Sequence, residues 1–243
     1  MSTLLLRLTL PLTMIVVLLV LLMQVIARLL PLAQIVPIVT YNSATILLVD
    51  VNRHIVAARR TNPSVIFDAV ISPDQQRIAF SMSDSRRIHI YISGLYENDY
   101  QRITSEAMGG DSPAWSPNGS QIAFVGLEPN NKRGIYTVAV DGSSPVQTIV
   151  KAGTFASPAW SPDGYQLTFA ASRYRDLPDL FVVDSSCRVR CDREMIQITN
   201  ELVVDTIPIW SPDGTRIAFL SDRSGDYEIY DLDMRCLQTE QPN

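Results

Sequence analysis

A short phrase returns along this chain at a spacing few folds share. It reads Ala114-Trp115-Ser116-Pro117-Asn118-Gly119, then Ala159-Trp160-Ser161-Pro162-Asp163-Gly164, then Ile209-Trp210-Ser211-Pro212-Asp213-Gly214. A degenerate copy, Val70-Ile71-Ser72-Pro73-Asp74-Gln75, comes first. From Ser72 to Ser116 to Ser161 to Ser211 the steps are 44, 45 and 50 residues. That is the period of propeller blades and is too long for most solenoid turns.

Within each unit the phrase is followed by Arg77-Ile78-Ala79-Phe80, Gln121-Ile122-Ala123-Phe124, Gln166-Leu167-Thr168-Phe169 or Arg216-Ile217-Ala218-Phe219. Large apolar residues alternate there with small or polar ones, as in a strand. Pro117, Pro162 and Pro212 preset φ at the second turn position, and Asp or Asn followed by Gly119, Gly164 or Gly214 completes a tight reversal. The phrase therefore predicts strand, turn, strand. A third strand is marked by Ile90-Tyr91, Ile135-Tyr136, Leu180-Phe181 and Ile229-Tyr230. A fourth ends most units, at Arg102-Ile103-Thr104, Gln147-Thr148-Ile149 and Gln197-Ile198-Thr199. Four short antiparallel strands in about 45 residues make one blade.

Trp-Ser-Pro-Asp-Gly, Ile-Ala-Phe and the run Ser221 to Tyr230 together resemble the TolB-type propeller repeat, a relative of the WD-repeat blade. The resemblance covers roughly residues 67 to 235, with repeats at about 67–104, 111–150, 156–199 and 205–235. It implies an all-β propeller of four-stranded antiparallel blades. It does not fix an activity, because one fold serves many. Trp115, Trp160 and Trp210 hold equivalent places and are expected to pack between blades. Asp74, Asn118, Asp163 and Asp213 are expected to form turns, and Asp111 and Asp205 to hydrogen-bond a neighbouring backbone.

Residues 8 to 27 carry no charge and are bracketed by Arg7 and Arg28. About twenty such residues, rising 1.5 Å each, can cross a ~30 Å hydrocarbon core. The reading is an anchor over residues 1–30, contacting the membrane through 8–30, then a linker over 31–44 and a propeller over 45–243. A cleaved signal peptide, with Pro31-Leu32-Ala33 near the cut and a secreted product, is the alternative. Arg7 and the free amine favour a cytoplasmic N-terminus, against Arg28, Arg53, Arg59 and Arg60. The resemblance to envelope proteins of the TolB type points the propeller outward, into the periplasm or beyond the cell.

Beyond the first thirty residues, the 20 basic residues less Arg7 and Arg28 leave 18 against 25 acidic, a formal charge of −7. That excludes a basic nucleic-acid surface. Three cysteines and two histidines give no metal-ligand spacing. Cys187 and Cys191 can close a small disulfide loop in an oxidising compartment, leaving Cys236 unpaired. His54 and His89 lie in apolar strands. No nucleophile elbow, phosphate loop or zinc-protease motif occurs, so neither catalytic residue nor cofactor is expected.

Binding belongs to the loops. Arg173, Tyr174 and Arg175 are the expected contact residues, beside Gly126 to Arg133 and the cysteine loop. The function read from the sequence is a non-catalytic scaffold for another protein or an envelope polymer. Alternatives are the accessory or gating propeller of a peptidase or other hydrolase, and a carbohydrate-active propeller. Residues 45–60 read as the last two strands of a blade whose first two are missing, which gives four or five blades in a small closed ring, an open arc, a ring completed by a second copy, or the front part of a longer protein.

Overall fold

A computed structural model describes residues 35–39, 45–50, 54–60, 64–84, 87–97, 99–130, 132–143, 146–151, 154–172, 177–187 and 191–235. The expected anchor over 8–30, the contact residues Arg173, Tyr174 and Arg175, and Cys236 lie outside the described residues. Among the described residues no helix is long and apolar enough to cross a membrane.

Five antiparallel sheets follow one another along the chain. The first comprises β1 (Ile35–Val39), β2 (Thr45–Asp50) and β3 (His54–Arg60). The second holds β4 (Ile66–Ile71), β5 (Arg77–Ser83), β6 (Ile88–Gly94) and β7 (Gln101–Arg102). The third holds β8 (Gly109–Trp115), β9 (Gln121–Leu127), β10 (Arg133–Ala139) and β11 (Gln147–Lys151). The fourth holds β12 (Thr154–Trp160), β13 (Gln166–Ser172), β14 (Asp179–Asp184) and β15 (Ile196–Gln197), with the four-residue helix α1 (Cys191–Glu194) before β15. The fifth holds β16 (Asp205–Trp210), β17 (Arg216–Ser221) and β18 (Glu228–Asp233). Each is a meander in which sequence neighbours pair. The architecture is that of a β-propeller.

Two readings of the N-terminal part are corrected. The expected linker over 31–44 contains β1, which pairs with β2 from Ile35↔Asp50 to Val39↔Ile46. Residues 45–60 are accordingly the second and third strands of a blade whose first strand is present. Pro37 obscured β1, because proline breaks a ladder unless it stands on an edge; β1 has β2 as its one partner in the sheet.

The alternation of large and small residues in β5, β9, β13 and β17 has its cause in the packing. Ile78, Phe80 and Met82 join Ile46 and Leu48 of the first blade in one core cluster, while Ala79 faces the other way, into a cluster with Trp115, Ile122 and Phe124 of the third. The pattern repeats one blade on, where Ala123 shares a cluster with Leu167 and Phe169 and with Trp160 packed against it. Both faces of each middle sheet are thus buried, so β5, β9 and β13 have five consecutive buried residues. The phenylalanine of each unit stands opposite an aromatic on the third strand. Phe80–Tyr91, Phe124–Tyr136, Phe169–Phe181 and Phe219–Tyr230 have ring centroids 5.8, 5.9, 6.2 and 6.2 Å apart.

The four turns are built alike. The serine hydroxyl donates to the carboxylate or amide oxygen two residues on, over 2.5 Å in Ser72–Asp74, 2.8 Å in Ser116–Asn118, 2.5 Å in Ser161–Asp163 and 2.6 Å in Ser211–Asp213. The same serine oxygen accepts the N–H of the residue that opens the next strand, for example Arg77 and Gln121 at 2.9 Å. Gly119, Gly164 and Gly214 take φ of 68°, 78° and 70°, where a Cβ is disfavoured, and Gln75 bears that conformation at 57° in the degenerate copy. These hydrogen bonds also hold the Asp213 carboxyl down at about 2, the Ser211 hydroxyl being the largest cause.

Candidate binding cleft

The first strands of successive blades pack on one another, β1 on β4, β4 on β8, β8 on β12 and β12 on β16. Among the described residues no packing of comparable extent joins β16 to β1. From the second blade on, each of these strands carries a bulge. Ser112 and Pro113 together oppose Phe124, Ser157 and Pro158 oppose Phe169, and Ile207 and Pro208 oppose Phe219. In β4 the extra residue is Phe67, 46% exposed. Ser112, Ser157 and Ile207 have φ of 53°, 50° and 52°. This is the left-handed region, costly for any side chain and most of all for a β-branched one. Recurrence in three blades makes the strained bulge part of the repeat, and a bulge re-aims a strand.

Here the re-aimed strands frame a cleft of about 610 Å³. Its walls are Asp68–Ile71, Ser112–Trp115, Ser157–Trp160 and Ile207–Trp210, with Pro73 and Pro162. All three tryptophans of the chain contribute. They also stitch blades together. Trp115 Nε1–H donates to the Val70 carbonyl at 3.0 Å, and Trp160 Nε1–H to the Ala114 carbonyl at 3.1 Å. Trp210 Nε1 is buried without a hydrogen-bond partner among the described residues. The Arg77 guanidinium lies 4.9 Å over the Trp115 ring and donates to the Gly119 carbonyl at 2.9 Å, a second tie between second and third blades.

Among the described residues Asp68 is the one ionisable side chain in the cleft wall. The residue is exposed, although protein packs closely around one side of its carboxyl. Burial first, and the Asp111 charge second, push its carboxyl above the ordinary 3.8, against opposing hydrogen bonds from the Ser112 N–H and the Ser81 hydroxyl. Ser81 Oγ stands 3.4 Å from Asp68 Oδ2. Sequence reasoning passed over Asp68 because it lies in the degenerate repeat, where no tryptophan marks the frame.

Other expected site residues lie away from the cleft wall. Asp111 and Asp205, expected to bond a neighbouring backbone, pair with arginines instead. Arg133 Nη2 reaches Asp111 at 3.0 Å, and Arg223 Nη2 reaches Asp205 at 3.2 Å. A carboxylate as buried as that of Asp205 needs a cation more than an amide. Asp205 is 0% exposed and its Oδ2 has no partner among the described residues. Arg223 also lies over Tyr230 at 4.5 Å and Phe219 at 5.3 Å, which seats its charge on the blade's aromatic pair.

His89 is buried, with Nδ1 3.1 Å from Thr104 Oγ1 and Nε2 3.3 Å from Asp84 Oδ2. The sequence of groups imitates a catalytic triad. The hydroxyl, however, accepts the Ile90 N–H at 3.2 Å, and neither Thr104 nor His89 opens to solvent. Burial, outweighing Asp84, lowers the His89 pKa and keeps the ring neutral. Cys187 and Cys191 form a disulfide beside α1, and both half-cystines join the core cluster between third and fourth blades. Among the described residues no group of three or more His, Cys, Asp or Glu is placed to hold a metal ion.

Residues 108–241, more than half of the chain, match the family described as TolB beta propeller domain. The chain belongs to that family. The TolB-like propeller fold recurs in a protein assigned as TolB from Agrobacterium tumefaciens, at a TM-score of 0.68 and 21% identity over 79% of this chain and 71% of that one. TolB from Acinetobacter baumannii superimposes with a TM-score of 0.68 at 19% identity, over 86% of this chain and 53% of that one. This chain therefore spans about half the length of that TolB. An oligogalacturonate lyase from Vibrio parahaemolyticus matches with a TM-score of 0.58 at 14% identity, over 78% of this chain and 54% of that one. At these identities the likeness carries the fold.

Proposed function

We propose that this TolB-like propeller is a non-catalytic scaffold that holds a protein partner on the face where the cleft opens. The observation that carries the reading is the cleft wall: proline, alanine, isoleucine and tryptophan side chains on strands locked by inter-blade hydrogen bonds, with Asp68 as the single ionisable group among the described residues that line it. General acid–base chemistry needs a donor and an acceptor that exchange a proton near the working pH. One carboxyl does not make that pair. A preorganised apolar wall does suit binding, because little freedom is lost when a partner docks.

The scaffold works outside the cytoplasm, tethered by the uncharged run within residues 8–30. The Cys187–Cys191 disulfide supports this placement, since such bonds persist in oxidising compartments. The TolB-like fold supports it by family. Incubation of the protein with oligogalacturonides and manganese, and with a set of peptides, is expected to leave every substrate intact. Turnover of either class would replace the scaffold by the lyase or the peptidase reading.

A further inference from the structure

We propose that the cleft framed by β4, β8, β12 and β16 binds an organic monocation, an apolar body carrying one ammonium or guanidinium group, and that Asp68 receives the charge. The inference rests on the scaffold reading only in taking the cleft as a place that holds a ligand without converting it.

The volume, about 610 Å³, falls within the range of small-ligand sites. Its lining is apolar apart from the hydroxyls of Ser112 and Ser157 and the carboxyl of Asp68. Among the described residues no lysine or arginine stands in that lining to neutralise the carboxyl. The charged group that bears on Asp68 is Asp111 of β8, whose own charge is met by Arg133 of β10. From β5 the facing group is the Ser81 hydroxyl, and β1 contributes no titratable residue. Asp68 is exposed on its open side, yet protein crowding on the other side first, and the Asp111 carboxylate second, oppose its anion and hold its pKa above the ordinary value. A cation beside it relieves that opposition, whereas an anion adds to it and a neutral body leaves it unchanged. Charge complementarity therefore selects the ligand class, and the tryptophan edges and prolines accommodate its apolar part.

The chain's three tryptophans all line the cleft, so their fluorescence reports occupancy directly. The full chain is titrated with 2-phenylethylammonium, 3-phenylpropan-1-ol and 3-phenylpropionate, three bodies of similar size with charge +1, 0 and −1. The ammonium is expected to saturate at least tenfold more tightly than the alcohol, and the carboxylate to bind more weakly still. Asp68→Asn is expected to bring the ammonium to the level of the alcohol. This variant removes a charge the fold disfavours, so it is expected to fold.

The wild type supplies the same test without substitution. The ammonium stays charged throughout, so its binding is full above the raised Asp68 pKa and is lost as pH falls through it, starting above the ordinary value of 3.8; the alcohol's binding does not change. Equal affinity for all three probes overturns the inference, as does unchanged ammonium binding in Asp68→Asn or no saturable binding at all. A further arm with the capped dipeptide Ac-Phe-Lys-NH2 separates the sources. Tighter, Asp68-dependent binding than the free amine assigns the cation to a partner's side chain, and weaker binding to a free small molecule. The small probes contain no hydrolysable bond, so their failure would count against the cleft's charge selectivity and leave the protein-partner reading to be decided separately.

Discussion

Thr168 stands where three sibling units place Ala79, Ala123 and Ala218. In the preceding units that alanine shares a cluster with the next blade's tryptophan, Ala79 with Trp115 and Ala123 with Trp160. Each of those tryptophans also donates its N–H to the blade before. Thr168 holds the same position toward the fifth blade. It is 0% exposed, and among the described residues neither its hydroxyl nor the Trp210 N–H has a partner. By analogy with Trp115 and Trp160, the acceptor expected for the Trp210 N–H is the Ala159 carbonyl, and the larger Thr168 is the difference between this unit and the two in which that bond forms.

Thr168→Ala is therefore expected to stabilise the protein. A buried polar group without a partner costs about 1–3 kcal/mol, and the regained tryptophan hydrogen bond adds about 1 kcal/mol. Losing the buried methyl takes back about 0.8 kcal/mol. The net expectation is a gain of about 1–3 kcal/mol, read as a higher midpoint in urea unfolding followed by tryptophan fluorescence. Thr168→Val separates the two contributions, since it removes the hydroxyl while keeping the volume. It should gain about as much as Thr168→Ala, because the methyl it keeps offsets the hydrogen bond it does not regain, and only the alanine variant should slow hydrogen exchange at the Trp210 indole N–H. A loss of 1 kcal/mol or more in Thr168→Ala, with the indole unchanged, would refute the reasoning.

Arg223→Met leaves the Asp205 carboxylate buried without its cation, and should cost about 3 kcal/mol by chemical denaturation, the low end for a half-broken buried pair because Arg223 keeps some solvent contact. The double variant Asp205→Asn/Arg223→Met should lose less than the single one; an equal or larger loss would show that the charge is not the cause. Gln75→Gly places glycine at φ 57° and should raise stability by about 0.5–1 kcal/mol, less than the full left-handed penalty because glycine also loosens the unfolded chain. The buried, neutral His89 predicts a pH effect. Its pKa is depressed on folding, so the unfolded chain takes up the proton first, and stability falls as pH drops below about 6.5 toward the lowered value. His89→Gln should flatten that decline between pH 7 and 5.5 in thermal unfolding; a parallel decline in both proteins would place its cause elsewhere.

The repeat made the hairpins, the aromatic third strands and the turn chemistry legible because each is a local pattern copied along the chain. Where the copying lapses, legibility lapsed with it. β1 carries proline in place of the motif, and its identity as a strand comes from pairing with β2 and packing on β4. The Asp111–Arg133 and Asp205–Arg223 pairs span 22 and 18 residues and form because, in a meander, the start of the first strand and the entry to the third lie at the same end of the blade. Asp68 gains its significance from four strands meeting around it, a relation no single unit encodes. The Cys187–Cys191 bond, by contrast, could be expected from a short local loop once an oxidising compartment was assumed, being confined to five consecutive residues.

The binding claim is tested most directly by photo-crosslinking in the source cells, with a benzophenone amino acid in place of Pro73 on the cleft rim and, in a second protein, in place of Leu202, which is 78% exposed outside the cleft wall. The account predicts one discrete protein adduct from position 73, absent from position 202. Adducts at both positions alike, or at 202 alone, would contradict it.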